Sequence, residues 1–157
     1  MLRRLAAASA AIVGLVVLGS SPASASGTVN WKPVNTTGAW HCNGYVPHGA
    51  YSTVPGGVKF KTCIVMPNND AAQAVLVVQN ATAHDVYIEK GRVVFESSSG
   101  GDIWCAASNL ASGATAGCYA PTINPLDCQF TTNADTELTL LGRKNTNTNY
   151  GWEAPCG

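Results

Sequence analysis

Polar and apolar positions alternate through VKFKTCIVM, residues 58–66. Val58, Phe60, Thr62, Ile64 and Met66 fall on one face, and Lys59 and Lys61 on the other. A period of two predicts a half-buried β-strand. AVLVVQN, residues 74–80, is apolar without alternation, which suits a central strand covered on both faces. DVYIEKGRVVFES, residues 85–97, predicts a hairpin turning at Lys90-Gly91. That register sets Glu89 opposite Arg92 and places Val86, Ile88, Val93 and Phe95 on one face. A strand is expected in DIWCAAS and another around Cys118 and Tyr119. A second hairpin is predicted from DCQFTT into DTELTLLG, turning at Asn133-Ala134 with Leu138 and Leu140 inward. The tail NTNTNYGWEAPCG reads as polar until Tyr150 and Trp152, rings expected to pack back onto the sheet.

Past residue 25 no segment shows a long 3.6-residue apolar period with caps. About seven short strands joined by tight turns predict an all-β fold. The expected form is an antiparallel β-sandwich, immunoglobulin-like in style, with a closed barrel as the alternative.

The first 25 residues follow a different pattern. Arg3 and Arg4 precede an uncharged apolar run, Leu5 to Leu18, and then Ala23-Ser24-Ala25. This is the plan of a secretory leader with an A-x-A cleavage site, and the run is too short for a membrane span, which needs about 20 residues. One β-rich domain, residues 26–157, is expected to follow, secreted and free of the membrane. Without Arg3 and Arg4, seven basic residues face nine acidic ones, a net charge of −2. No basic run stands out in the sequence, which argues against nucleic acid as a partner. Leader and body together resemble small exported bacterial proteins in composition, a likeness that carries no residue roles.

Export decides how the six cysteines are read, since an even number in an oxidising compartment predicts disulfides. The sequential pairing Cys42–Cys63, Cys105–Cys118, Cys128–Cys156 is expected, since short loops close with the least entropy loss and the last pair would tie down the C-terminal end. The alternative, Cys118–Cys128, would brace the loop YAPTINPLD. WHCNGYVPHG, residues 40–49, flanks Cys42 with His41 and His48. A zinc site needs about four ligands at close spacing, and no carboxylate lies between the two histidines, so neither metal nor cofactor is expected. Both imidazoles are expected in solvated loops, with Pro47 and Gly49 marking a turn.

Catalytic patterns are weak. Ser97-Ser98-Ser99-Gly100-Gly101-Asp102 has the wrong order for a serine-protease nucleophile segment, and no G-x-S-x-G elbow occurs. His84 and Asp85 are neighbours whose side chains diverge on a strand, so Asp85 is expected to cap a turn. Asp70, Asp102, Asp127, Asp135, Glu96 and Glu137 offer no spacing that selects a carboxylate pair. Binding is therefore the expected role. Trp31, Trp40, Tyr45, Tyr150 and Trp152 are the candidate ligand contacts, with Tyr51 near the early group, since rings with a polar edge suit flat ligands. The partner is expected to be an extracellular polysaccharide or a secreted protein. A protease inhibitor built on the Pro121 to Pro125 loop and a small hydrolase are the alternatives. The sequons at Asn35 and Asn80 are discounted, because the leader looks bacterial.

Overall fold

A computed structural model describes residues 27–67, 71–97, 101–123 and 131–153, the side chains of residues 131 and 151–153 excepted. The leader lies outside the described residues, as do Cys128 and Cys156. In chain order the strands are β1 (Thr28–Val29), β2 (Lys32–Pro33), β3 (Trp40–Cys42), β4 (Val46–Pro47), β5 (Val58–Val65) and β6 (Gln73–Asn80). There follow β7 (Val86–Ile88), β8 (Lys90–Phe95), β9 (Ile103–Cys105), β10 (Ser108–Leu110), β11 (Thr115–Tyr119), β12 (Thr131–Leu140) and β13 (Arg143–Glu153). No described helix is long and apolar enough to cross a membrane.

Two open sheets stack face to face. One has the order β1-β9-β8-β12-β13; the other has β2-β11-β6-β5-β3, with β4 also paired to β5. β7 and β10 form a separate two-stranded ribbon. The sandwich holds and the barrel alternative does not, because neither sheet closes on itself. Every described pairing between strands is antiparallel except β1 against β9.

Alternation is obeyed where the sequence shows it. On β5, Val58, Phe60 and Ile64 enter the core while Lys59 and Lys61 face out. β6 is covered on both faces: Leu76 and Val78 point into the main core, and Val75 and Val77 into a second cluster on the outer side. Burying apolar side chains such as Phe60, Leu76, Ile88 and Leu138 contributes about 1.5–3 kcal/mol each.

Both predicted hairpins are corrected. Lys90 and Gly91 do not turn; they lie inside β8, which pairs with β12 and β9, while β7 pairs with β10. Val86, Ile88, Val93 and Phe95 are all buried as expected, but through a change of phase. Glu89 and Lys90 are two successive residues facing away from the core, so the inward parity shifts from 86 and 88 to 91, 93 and 95. Glu89 does not oppose Arg92; its Oε1 accepts from the Gly142 backbone N–H at 2.8 Å. Asn133-Ala134 is likewise a β-bulge within β12, and the turn comes at Leu141-Gly142. Both turn residues have positive φ, 50° and 67°, the geometry of a two-residue type I′ hairpin.

The polar tail is the longest strand. In β13, Asn145, Asn147 and Asn149 alternate with Thr146, Thr148 and Tyr150, and the asparagines fasten one sheet to the other. Asn43 Nδ2 donates to Asn147 Oδ1 and to the Thr148 carbonyl, and Asn149 Nδ2 donates to the His41 carbonyl at 2.8 Å. The Thr62 hydroxyl donates to the Asn147 carbonyl at 3.0 Å and meets the Thr136 hydroxyl at 2.7 Å. Tyr150 does not pack back onto the sheet; it is 72% exposed.

Cys42 and Cys63 are cross-strand neighbours on β3 and β5 and form a disulfide. Cys105 on β9 and Cys118 on β11 form a second one, which joins the two sheets. The Cys118–Cys128 alternative is thereby excluded. Closing loops of 21 and 13 residues stabilises the fold by about 3 kcal/mol each on the chain-entropy view.

Candidate functional site

The outer face of the five-stranded sheet carries a shallow groove. Ile103 and Cys105 point into the core, so Trp104 between them faces out. Register sets Trp104 beside Arg92, Arg92 beside Glu137, and Glu137 beside Thr146, one residue from each of four strands. A hollow of about 300 Å³ is lined by Lys90, Arg92, Trp104, Glu137, Thr139 and Lys144, with the Gly91 backbone at its floor. A second, of about 400 Å³, shares Arg92 and Glu137 and continues along Val94, Asp135, Thr146 and Thr148.

Charge in this groove is dense and balanced. Arg92 pairs with Asp102 through Nη2 and with Glu137 through Nη1, the latter at 3.0 Å. Lys144 Nζ stands 3.6 Å from the same Glu137 oxygen. The hydrogen bond to Asp102 raises the guanidinium further above its usual range. Asp135 accepts from the Thr148 hydroxyl. Lys90 holds its ammonium 3.7 Å from the Trp104 ring centroid, and the Arg92 guanidinium lies 5.3 Å from it. Three cations and three carboxylates thus stand around an indole, Arg92 and Lys144 paired with Asp102 and Glu137, Lys90 over the ring and Asp135 held by a hydroxyl.

The candidate rings do not form one row. Trp31 packs against the core and its indole N–H donates to the Ala106 carbonyl at 2.7 Å. Trp40 and Tyr45 lie on the outer side of the other sheet. Tyr51 is in a short 3₁₀ turn, Gly49–Tyr51, packed against the core. Tyr150 and Trp152 are on β13; the Trp152 side chain lies outside the described residues. Trp104 and Tyr119 are outward rings beyond the expected set, although the alternation with Ile103, Cys105 and Cys118 marks both.

Most residues that could serve a metal or a reaction are otherwise engaged. Cys42 is bonded to Cys63, and among the described residues no three His, Cys, Asp or Glu side chains gather to hold a metal ion. The histidines flanking Cys42 are not in solvated loops: His41 is on β3, and His48 is fully buried. Its Nε2–H donates to the Leu138 carbonyl at 3.1 Å, and its Nδ1 accepts from the Ala50 N–H at 3.2 Å, which specifies a neutral ring. The Ser97 hydroxyl meets Thr132 Oγ1 at 2.6 Å. His84 is exposed, and Asp85 accepts from the distant Ser112 N–H rather than capping its own turn. Asn80 is fully buried with its amide nitrogen donating to carbonyls, so the sequon there cannot carry a glycan in the folded state.

Burial lowers the His48 pKa from its usual value near 6.5, against the opposing effect of its hydrogen bond to Leu138. The unfolded chain therefore takes up a proton that the fold refuses. This stability is fully present above about pH 6.5 and falls away as pH drops from there through the folded value, by at most about 1.4 kcal/mol per pH unit. Thermal melts at pH 7.5 and 5.5 should show a drop that His48→Asn, which keeps the cap acceptor, removes in part. An identical drop in the variant would exclude His48 as its source.

No protein-family model matches the chain, and neither a curated protein nor a solved structure matches it.

Proposed function

We propose that the protein is a secreted, non-catalytic binding domain that holds a neutral polysaccharide in the groove over Trp104. The observation that carries this is the charge balance of the groove. An ionic ligand would have to break existing pairs to reach Arg92 or Lys144, and Lys90 is already held over the Trp104 ring. A polyol forms hydrogen bonds with Glu137, Arg92, Thr139 and Lys144 while leaving the ion pairs intact, and its C–H face suits an indole. The groove crosses four strands of the sheet, a shape for an extended chain rather than a small molecule. The leader and the two disulfides support an extracellular setting. The inhibitor alternative loses the Cys118–Cys128 brace, because Cys118 bonds to Cys105.

Retention on insoluble cellulose, chitin and xylan tests the proposal. At least one should retain the protein equally at 50 and 500 mM salt, as a neutral ligand requires. Trp104→Ala should weaken retention about tenfold or more, equivalent to about 1.4 kcal/mol, with the unfolding midpoint little changed. Retention on none of the polymers, or retention indifferent to Trp104→Ala, would exclude the groove as a neutral-glycan site.

A further inference from the structure

We infer that the outer face of the six-stranded sheet is a second binding surface, for an acidic polysaccharide. This stands apart from the groove over Trp104, which lies on the opposite side of the sandwich.

The sequence has no basic run, but the sheet assembles one. Lys59 and Lys61 face out from β5, and register places Lys32, Gly117, Val77 and Lys61 in one row across β2, β11, β6 and β5. At about 4.8 Å per strand, Lys32 and Lys61 bracket a floor about 14 Å wide. None of the six strands of this sheet carries an Asp or Glu. Among the described residues no ion pair involves Lys32, Lys59 or Lys61, whereas Arg92 and Lys144 on the other sheet are both paired. The overall charge of the chain is not positive. The cationic character of this face is therefore local, a product of where the strands put their charges.

The floor between the lysines is rigid. Val75 and Val77 are fully buried although they point outward. They are covered by Val34, Trp40, Val65 and Tyr119. Trp40 and Tyr119 meet edge to face at 6.0 Å, and the Tyr119 hydroxyl donates to the Pro33 carbonyl at 3.0 Å. A Cβ on Gly117 would stand 2.7 Å from the Tyr119 ring and 3.0 Å from Val34, so the glycine lets that ring lie flat. The Cys42–Cys63 disulfide ties β3 to β5 at the margin. At one end of the floor the Lys59 and Lys61 ammoniums lie 5.2 and 4.7 Å from the Tyr45 ring centroid. A surface already ordered loses little entropy when it binds.

Charge complementarity selects an extended polyanion. A carboxylated sugar chain presents acid groups to the spaced lysines and needs no free ring face, the Tyr45 ring being already covered by the Lys59 and Lys61 ammoniums. Nucleic acid fits less well, since base stacking needs free ring faces and Trp40 and Tyr119 are locked against each other. A bilayer surface fits less well too, since Tyr45, at 36% exposure, is the one large hydrophobic on this face that counts as exposed among the described residues.

Affinity electrophoresis of the full chain through gels containing alginate tests this, with polyphosphate, duplex DNA and anionic vesicles as competitors. Alginate should retard the protein, and 300 mM salt should release it. Lys59→Gln with Lys61→Gln should weaken the interaction at least tenfold, and Lys32→Gln alone about threefold, with unfolding midpoints little changed. Trp104→Ala should leave it intact, which separates this surface from the groove. Three results would overturn the assignment: no retardation by alginate, equal retardation of the double variant, or displacement by polyphosphate, DNA or vesicles at lower charge concentration than alginate itself.

Discussion

Asn80→Asp is expected to lower stability by about 4 kcal/mol at neutral pH, a drop of 12 °C or more in the unfolding midpoint. Asn80 is fully buried at the end of β6, where the 81–85 and 110–114 segments meet. Its Nδ2 donates to the carbonyls of His84 at 2.8 Å, Leu110 at 2.9 Å and Ala111 at 3.2 Å. Its Oδ1 accepts from the Thr82 N–H and hydroxyl, at 3.0 and 2.7 Å. The aspartate has the same shape but turns the donor into an acceptor, facing three carbonyl oxygens in a place without water. The sign with pH follows. Burial among acceptors raises the folded pKa of the new carboxyl above the unfolded value near 3.9, so the defect is full at neutral pH and shrinks as the solution is acidified through the raised value. Chemical denaturation at pH 7 and pH 4.5 measures both. A loss below about 1 kcal/mol at pH 7 would mean that the amide is not the junction of these loops.

Gly91→Ala is expected to lower stability by about 2–3 kcal/mol, although alanine in a strand is ordinarily the better residue by about 0.5–1 kcal/mol. Gly91 points from β8 into the space between the sheets. A Cβ there would stand 2.8 Å from the Cys105 Sγ, 2.9 Å from the Cys105 Cβ and 3.1 Å from a Leu76 methyl. Cys105 is the direct cross-strand partner of Gly91, and its sulfur is pinned to Cys118 on the other sheet, so it cannot yield. The two sites should therefore couple. In a chain carrying Cys105→Ala and Cys118→Ala, itself destabilised by about 2–5 kcal/mol, the added penalty of Gly91→Ala should fall below about 1 kcal/mol. A double-mutant cycle by urea denaturation reads this directly. Strict additivity would show that the clash is not with the bridge.

These positions show how far the sequence can be read. Lys59 and Lys61 against Phe60 and Thr62 announce a strand and its buried face, since a period of two needs no knowledge of partners. Loop closure points to the Cys42–Cys63 pair, but it does not separate Cys105 from the still nearer Cys128 as the partner of Cys118. The hairpins were misplaced for one shared reason. Lys90-Gly91 and Asn133-Ala134 have turn-like chemistry, yet an extended chain absorbs such residues as a change of phase or a bulge once flanking strands offer hydrogen bonds on both sides. The real turn, Leu141-Gly142, puts a leucine at positive φ, which local preference disfavours. The asparagines of β13 escaped notice because hydrophobic periodicity cannot register a strand whose buried face is itself polar.

Local alternation of side chains was enough to decide that the chain is all-β and which positions face inward, because these depend on neighbours along the chain, whereas the partner of Cys118 was decided by the stacking of the two sheets. Strand order decided everything that needs a sum over distant segments. It brought Arg92, Trp104, Glu137 and Lys144 into one neutral groove and gathered Lys32, Lys59 and Lys61 on the opposite face. Charge and contact act through space across strands about 4.8 Å apart, whatever their separation in the chain, so neither surface has a signature until the sheets are assembled.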